Sequence, residues 1–226
     1  MSAPLFPPRP QPCLPITGQT APYPVARIFC VGRNYAAHAA EMGGEVDRDA
    51  PFYFTKSAHH LLQSGATLPY PPGTSDLHHE VELVVALGKS GFRVALGEAL
   101  DCVLGYAVGL DMTRRDLQAA AKDKRRPWDT GKDFEGSAVI GAITPGPMQA
   151  DLQIRLAVNG ATTQDARLGD MVWDVASLIE HLSTLYHREP GDIIMTGTPA
   201  GVGPVGPGDV LVGSIDGLAN LTLSIG

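Results

Sequence analysis

His78-His79-Glu80-Val81-Glu82-Leu83-Val84-Val85-Ala86-Leu87-Gly88 decides how this chain is read. Five of these residues are Val or Leu, which favours a buried strand. Side chains alternate across a strand, so Glu80 and Glu82 project to one face. Two carboxylates on a buried face repel each other and lose their hydration unless positive charge lies between them. A hard divalent cation such as Mg²⁺ or Ca²⁺, which takes oxygen ligands, resolves that conflict. A half-exposed strand with its acids in water satisfies the same alternation, so the stretch alone leaves both readings open.

Working outward, the next apolar run is Val103–Leu110, which reads as a second strand and ends in Asp111. An acid at a strand end suits a third ligand, and equally a turn or cap. Thr113-Arg114-Arg115-Asp116 resembles a capping box opening a helix. On that helix Arg115 and Gln118 are three apart and share a face, as ligand contacts or as solvated surface. Lys122–Arg126 reads as a solvated basic stretch. Pro127–Ala138 is polar and irregular and carries Lys132, a turn lysine beside Asp133.

Toward the N-terminus, 26–32 reads as a buried strand ending at Gly32, and the alanine-rich 33–42 as a helix that stops at Gly43-Gly44. His38 and Glu41 share a face of that helix. A carboxylate beside an imidazole holds its tautomer and raises its basicity, which suits a general base acting on water; a surface pair fits the same spacing. Glu45–Ala50 reads as a loop. Phe52–Thr55 is a short strand leading into Lys56, either a contact for an anionic substrate or a solvated lysine. Residues 1–24 carry prolines at 4, 7, 8, 10, 12, 15, 22 and 24 and read as an extended arm, leaving 25–226 as a single catalytic domain.

Toward the C-terminus, 152–158 reads as a strand and Asn159-Gly160 as its hairpin turn. Asp174 caps a helix whose Val175, Leu178, Ile179, Leu182, Leu185 and Tyr186 form an apolar core stripe. Ile193–Thr196 is a further strand. Gly197-Thr198-Pro199-Ala200-Gly201-Val202-Gly203 is a tight loop whose glycines allow close approach to a ligand, without the spacing of a phosphate-binding motif. Strands outnumber helices without regular alternation, which predicts an α+β, β-rich fold.

Composition narrows the function classes. A length of 226 residues with 44% hydrophobic and 18% charged residues is that of a globular protein with a sizeable core. The formal net charge of −7 argues against nucleic acid and anionic membrane as partners. No apolar run approaches the length of a membrane span, and the proline-broken N-terminus does not read as a signal peptide. Three cysteines without metal or redox spacing suggest reduced thiols and a cytoplasmic protein.

Four stretches in order resemble the fumarylacetoacetate hydrolase superfamily: Gly32-Arg33-Asn34-Tyr35, His79-Glu80-Val81-Glu82-Leu83, Leu110 to Gln118, and Gly191 to Pro199. The resemblance spans roughly residues 26–226 and is greatest to the single-domain acylpyruvate hydrolases, the branch that includes bacterial fumarylpyruvate hydrolases of gentisate breakdown. It implies a mixed β-roll of packed sheets, usually dimeric. It implies Mg²⁺ or Mn²⁺ on Glu80, Glu82 and Asp111, with Ca²⁺ an acceptable substitute. It implies that His38 and Glu41 activate water from a lid, that Lys132 contacts substrate oxygens, and that Arg115, Gln118 and Thr198 are polar substrate contacts.

The implied reaction is hydrolytic cleavage of the C–C bond of a 2,4-diketo acid, with fumarylpyruvate giving fumarate and pyruvate. Oxaloacetate decarboxylation and isomerisation of an unsaturated diacid are rival reactions on the same scaffold, and a non-catalytic metal- or diacid-binding protein is a rival of another class. One departure stands out. Many relatives have Ser or Ala after the lysine where this chain has Asp133, which predicts an altered environment for Lys132. His78 reads as a residue behind the ligands or on the surface.

Overall fold

Val81–Leu87 forms a strand with every residue buried. In this computed structural model, which describes residues 4–149 and 151–226, it lies inside an eight-stranded sheet. The order is Phe52–Lys56, Arg27–Gly32, Asp192–Met195, Val81–Leu87, Val103–Asp111, Ala138–Ile140, Leu61–Gln63, with Thr144–Pro145 also paired to Val103–Asp111. Two of its pairings are parallel, Asp192–Met195 with Arg27–Gly32 and Ala138–Ile140 with Leu61–Gln63. A five-stranded sheet runs Ala161–Arg167, Gln153–Val158, Val210–Ile215, Leu221–Ile225, Thr67–Leu68. The result is the expected α+β architecture of mixed, packed sheets with few helices. No helix of the described residues is long and apolar enough to cross a membrane.

Strand alternation separates two cores. Val81, Leu83, Val85 and Leu87 join Ile154, Leu156, Leu211, Leu223 and the helix residues Leu178, Ile179 and Leu182 on one side. Val84, Ala86 and Ala107 face the other side, where Leu14, Ile16, Tyr23 and Val25 of the N-terminal segment cover them. Glu82 has the parity of Val84 and Ala86, and Asp111 that of Ala107. The acids therefore extend the second face beyond the end of its apolar cover.

The N-terminal segment is tied down from residue 13. Cys13–Leu14 pairs with Tyr23–Pro24. The buried Tyr23 hydroxyl lies 2.8 Å from the carbonyls of Leu87 and Asp192 and accepts from the Gly191 N–H at 3.0 Å. Burial pushes its pKa well above the ordinary tyrosine range, so it stays a neutral donor. Tyr23→Phe removes a buried hydroxyl that donates to one of these carbonyls and accepts from the Gly191 N–H, and should cost about 1–3 kcal/mol, read as a lower denaturant midpoint at unchanged slope.

Several local expectations change. The helix expected over 33–42 spans only Ala36–Glu41. Arg33 sits at φ 56°, in the left-handed region, and Tyr35 is extended. The turn is held because the buried Asn34 amide donates to the carbonyls of Trp173 and Thr196 and accepts from the Trp173 N–H. The capping box at Thr113–Asp116 does not form. Thr113–Arg114 instead pairs with Leu77–His79, and the Asp116 carboxylate accepts from Thr74 and Ser75. Asp174 does cap its helix, Val175–Leu185, accepting from the Ser177 N–H. The end of the expected core stripe is on the surface, however, with Leu185 56% and Tyr186 42% exposed. Asn159-Gly160 makes the hairpin turn, with φ 51° and 82°.

Candidate active site

The break between Leu77–His79 and Val81–Leu87 places Glu80 beside the end of Val103–Asp111, where the Asp111 N–H donates to the Glu80 carbonyl at 2.9 Å. Glu82 lies one alternation further on the same face. Glu80, Glu82 and Asp111 are all buried and offer ligand oxygens that lie within 4.8 Å of one another. The half-exposed reading of the strand is thereby excluded for these two glutamates.

Three cations surround the acids, all from elsewhere in the chain. Lys132, the last residue of the short helix Asp129–Lys132, donates to Glu80 Oε2 and Asp111 Oδ2 at 2.7 Å and to Thr113 Oγ1 at 2.8 Å. Arg115 donates to Glu80 Oε1 and to Gln118 Oε1, both at 2.6 Å. Lys56 Nζ lies 2.8 Å from Asp111 Oδ1 and donates to the carbonyls of Met112 and Lys132. Lys56 is not among the residues lining the cavity above the acids. It braces Asp111 from behind.

Among the described residues Glu82 receives none of these cations and accepts only the Gly197 N–H, at 2.8 Å. Burial, followed by the charges of Asp111 and Glu80, pushes its pKa well above the ordinary glutamate range. Burial alone would raise Glu80 too, but Lys132 and Arg115 outweigh it and hold that carboxyl far below the usual range. Burial likewise opposes the charge on Lys132, and Asp111 and Glu80 overcome it, so its pKa is raised. The donor set is thus three hard oxygen ligands, one of them without a counter-charge. That chemistry fits a divalent cation such as Mg²⁺ or Mn²⁺. An incoming cation competes with the Lys132 ammonium for two of the three acids.

The His38–Glu41 pair meets the cavity through His38. His38 is buried and lines the cavity. Its Nδ1 lies 3.3 Å from Glu41 Oε2, and Glu41 also accepts from the Gly201 N–H. Nδ1 donating to Glu41 leaves Nε2 as the basic nitrogen. Burial lowers the His38 pKa from 6.5, against the raising pull of Glu80 and Glu41.

The glycine loop packs closely against the protein at Gly197 and Gly201. Gly197, at φ 96°, brings its N–H to Glu82, and a Cβ there would strike Asn34 at 2.8 Å. Gly201, at φ 94°, brings its N–H to Glu41, and a Cβ there would collide with the Thr163 carbonyl. Thr198 lines the cavity and accepts from Gln164 Nε2 at 2.8 Å.

Gln164 is a residue that sequence reasoning missed. It lies in the hairpin strand Ala161–Arg167 and is fully buried. Its Oε1 lies 3.0 Å from His79 Nδ1 and accepts from the Val81 N–H at 3.0 Å, while its Nε2 donates to Thr198 and to the Pro199 carbonyl. One amide thereby joins the two-glutamate strand to the glycine loop. Its only local signal is a polar side chain on the inward parity of a strand. Lys122, read as solvated, is half-buried and lines the cavity. Asp133 turns away from Lys132 and binds His60 Nδ1 at 2.6 Å and the Ser57 N–H at 2.8 Å. His78 is half-buried against Asp76 at 2.9 Å.

Residues 27–225 match the model of the fumarylacetoacetate (FAA) hydrolase C-terminal family, and the chain belongs to that family. It is 51% identical over 189 residues to fumarylpyruvate hydrolase from a Ralstonia species, an alignment covering 82% of this chain and 98% of that one. The crystal structure of fumarylpyruvate hydrolase from Pseudomonas aeruginosa in complex with Mn²⁺ and pyruvate superposes with a TM-score of 0.96 at 43% identity, covering 99% of each chain. A mitochondrial oxaloacetate decarboxylase from Dictyostelium discoideum is 42% identical, over 85% of this chain and 89% of that one.

Proposed function

We propose that this chain is a divalent-metal-dependent hydrolase that cleaves the C3–C4 bond of an acylpyruvate, with fumarylpyruvate giving fumarate and pyruvate. The observation that carries it is one cavity lined by both a buried carboxylate triad and His38, whose imidazole is paired with Glu41. Similarity to enzymes of that activity supports the same reading.

Glu80, Glu82 and Asp111 hold the cation. When bound, it supplies positive charge beside the substrate's 1-carboxylate and 2-oxo oxygens and an electron sink there. His38, oriented by Glu41, takes a proton from water, and the resulting hydroxide adds to the C4 carbonyl. Lys132 faces the oxygen that becomes negative at C4, with Arg115 and Gln118 as further polar contacts. The C3–C4 bond then breaks. Its electron pair passes to C3 and the 2-oxo group as an enolate, protonation at C3 gives pyruvate, and the acyl half leaves as fumarate. Thr198 closes the wall of the cavity on the glycine-loop side, and Lys56 keeps Asp111 in place.

The same scaffold carries out decarboxylation or tautomerisation of oxaloacetate in other members, reactions that need no attacking water. The His38–Glu41 pair favours hydrolysis. Family likeness and the free thiols Cys13, Cys30 and Cys102 support a dimeric, cytoplasmic enzyme of gentisate breakdown.

The test is a panel of acylpyruvates and oxaloacetate offered to the Mn²⁺-loaded protein, following loss of the diketo-enol absorbance and identifying products. Fumarylpyruvate should be consumed to equal amounts of fumarate and pyruvate, and EDTA should abolish turnover until Mn²⁺ or Mg²⁺ is restored. Turnover of oxaloacetate alone, or turnover indifferent to EDTA, overturns the reading.

A further inference from the structure

The cavity has an inner and an outer part. The inner part, over the acids, has room for about 30 Å³, and Lys122 and Arg33 line it. An outer chamber of about 220 Å³ adjoins it, sharing Gly32, Arg33 and Trp128 and bearing Glu45 and Asp47. Lys122 sits on the helix Arg115–Asp123, two turns beyond Arg115, with its ammonium 5.0 Å over the Trp128 ring. Among the described residues neither Lys122 nor Arg33 makes an ion pair. Burial, then repulsion from Arg115 and Arg33, pushes the Lys122 pKa down to about 8, as befits a cation lacking its counter-charge.

We propose that Lys122 and Arg33 form the subsite for a second, distal carboxylate and make the enzyme selective for diacid over neutral-tailed acylpyruvates. The inference rests on the hydrolase reading above. With the 1-carboxylate and 2-oxo oxygens directed at the acids, what lies beyond C4 extends toward the junction of the two parts at Arg33 and Trp128, where Lys122 sits over the Trp128 ring. A fumaryl tail ends in a carboxylate, which these cations attract. An acetyl tail ends in a methyl group, which gains nothing from them. The acids Glu45 and Asp47 in the outer chamber repel a carboxylate reaching further, so the tail length is limited as well. Arg33 is held there by a left-handed backbone that Asn34 anchors, so its direction is built into the turn.

The test compares fumarylpyruvate with acetylpyruvate in Mn²⁺-loaded wild type, Lys122→Met, Lys122→Arg and Arg33→Asn, the last chosen because Asn tolerates left-handed backbone. The readout is the ratio of the two kcat/KM values. A charge-assisted contact to each cation predicts that Lys122→Met and Arg33→Asn each lower this ratio fivefold or more, mainly through KM for fumarylpyruvate, and that Lys122→Arg restores it. A ratio that stays within fivefold of wild type in both variants overturns the subsite, including the case where both substrates lose rate equally. Wild type that hydrolyses neither substrate instead refutes the hydrolase reading. If Lys122→Met does not fold, Arg33→Asn decides alone.

Discussion

Glu82→Gln should remove turnover by about 10³-fold or more while making the metal-free protein more stable. The two effects have one cause. Glu82 is a buried carboxylate whose only partner among the described residues is the Gly197 N–H, close to two other acids. With a cation in place it is a ligand, and its loss removes several kcal/mol of transition-state stabilisation. Without the cation its ionised form is uncompensated and ionising it costs folding stability, so a neutral amide of the same shape stabilises by about 1–3 kcal/mol where the unfolded glutamate is ionised. The sign with pH follows from the raised pKa. A carboxyl raised in the folded state contributes full stability below the unfolded glutamate value and loses it as pH rises through the folded value. The stability gap between the metal-free variant and metal-free wild type should therefore widen with pH above the ordinary glutamate range. Thermal melts with EDTA across pH, set beside turnover with Mn²⁺, check both halves. A variant that keeps wild-type turnover, or is less stable without metal at every pH, contradicts the role given to Glu82.

His38→Ala should cost about 10²- to 10⁴-fold in kcat and leave Mn²⁺ affinity within a few-fold of wild type, since the imidazole's hydrogen bond goes to Glu41 rather than to a ligand carboxylate. The lowered His38 pKa keeps the imidazole neutral at pH 7, so the acidic limb of the wild-type rate profile should fall below 6.5 and vanish in the variant. Normal hydrolysis by metal-loaded His38→Ala means that another group activates water.

The parts of the site legible in the sequence were those written in short-range geometry. Alternation alone put Glu80 and Glu82 on one face, and a three-residue spacing put His38 beside Glu41 and Arg115 beside Gln118. The family likeness supplied Asp111, Lys132 and Thr198 as neighbours, because nothing local says that residues 31 apart in sequence, such as Glu80 and Asp111, meet. What stayed hidden depends on tertiary placement. Lys56 resembles any lysine after a strand until pairing of Phe52–Lys56 with Arg27–Gly32 sets it behind Asp111. Lys122 belongs to a basic run that is otherwise exposed, and only its position beside Trp128 singles it out. Gln164 is one polar residue in a hairpin far along the chain. Thr113 resembles a cap in sequence but does not act as one, because its hydroxyl is taken by Lys132 and by the Asp111 carbonyl. A tertiary contact outcompeted the local motif.

The most direct measurement is a calorimetric Mn²⁺ titration of wild type and Glu82→Gln at two pH values near 6 and 8. A triad in which Glu82 must give up a proton and Lys132 must yield its place predicts one ion per chain, bound more tightly at the higher pH, and weak or no binding by the variant at either. Binding by the variant equal to that of wild type, or no stoichiometric binding by wild type, contradicts a cation held by Glu80, Glu82 and Asp111.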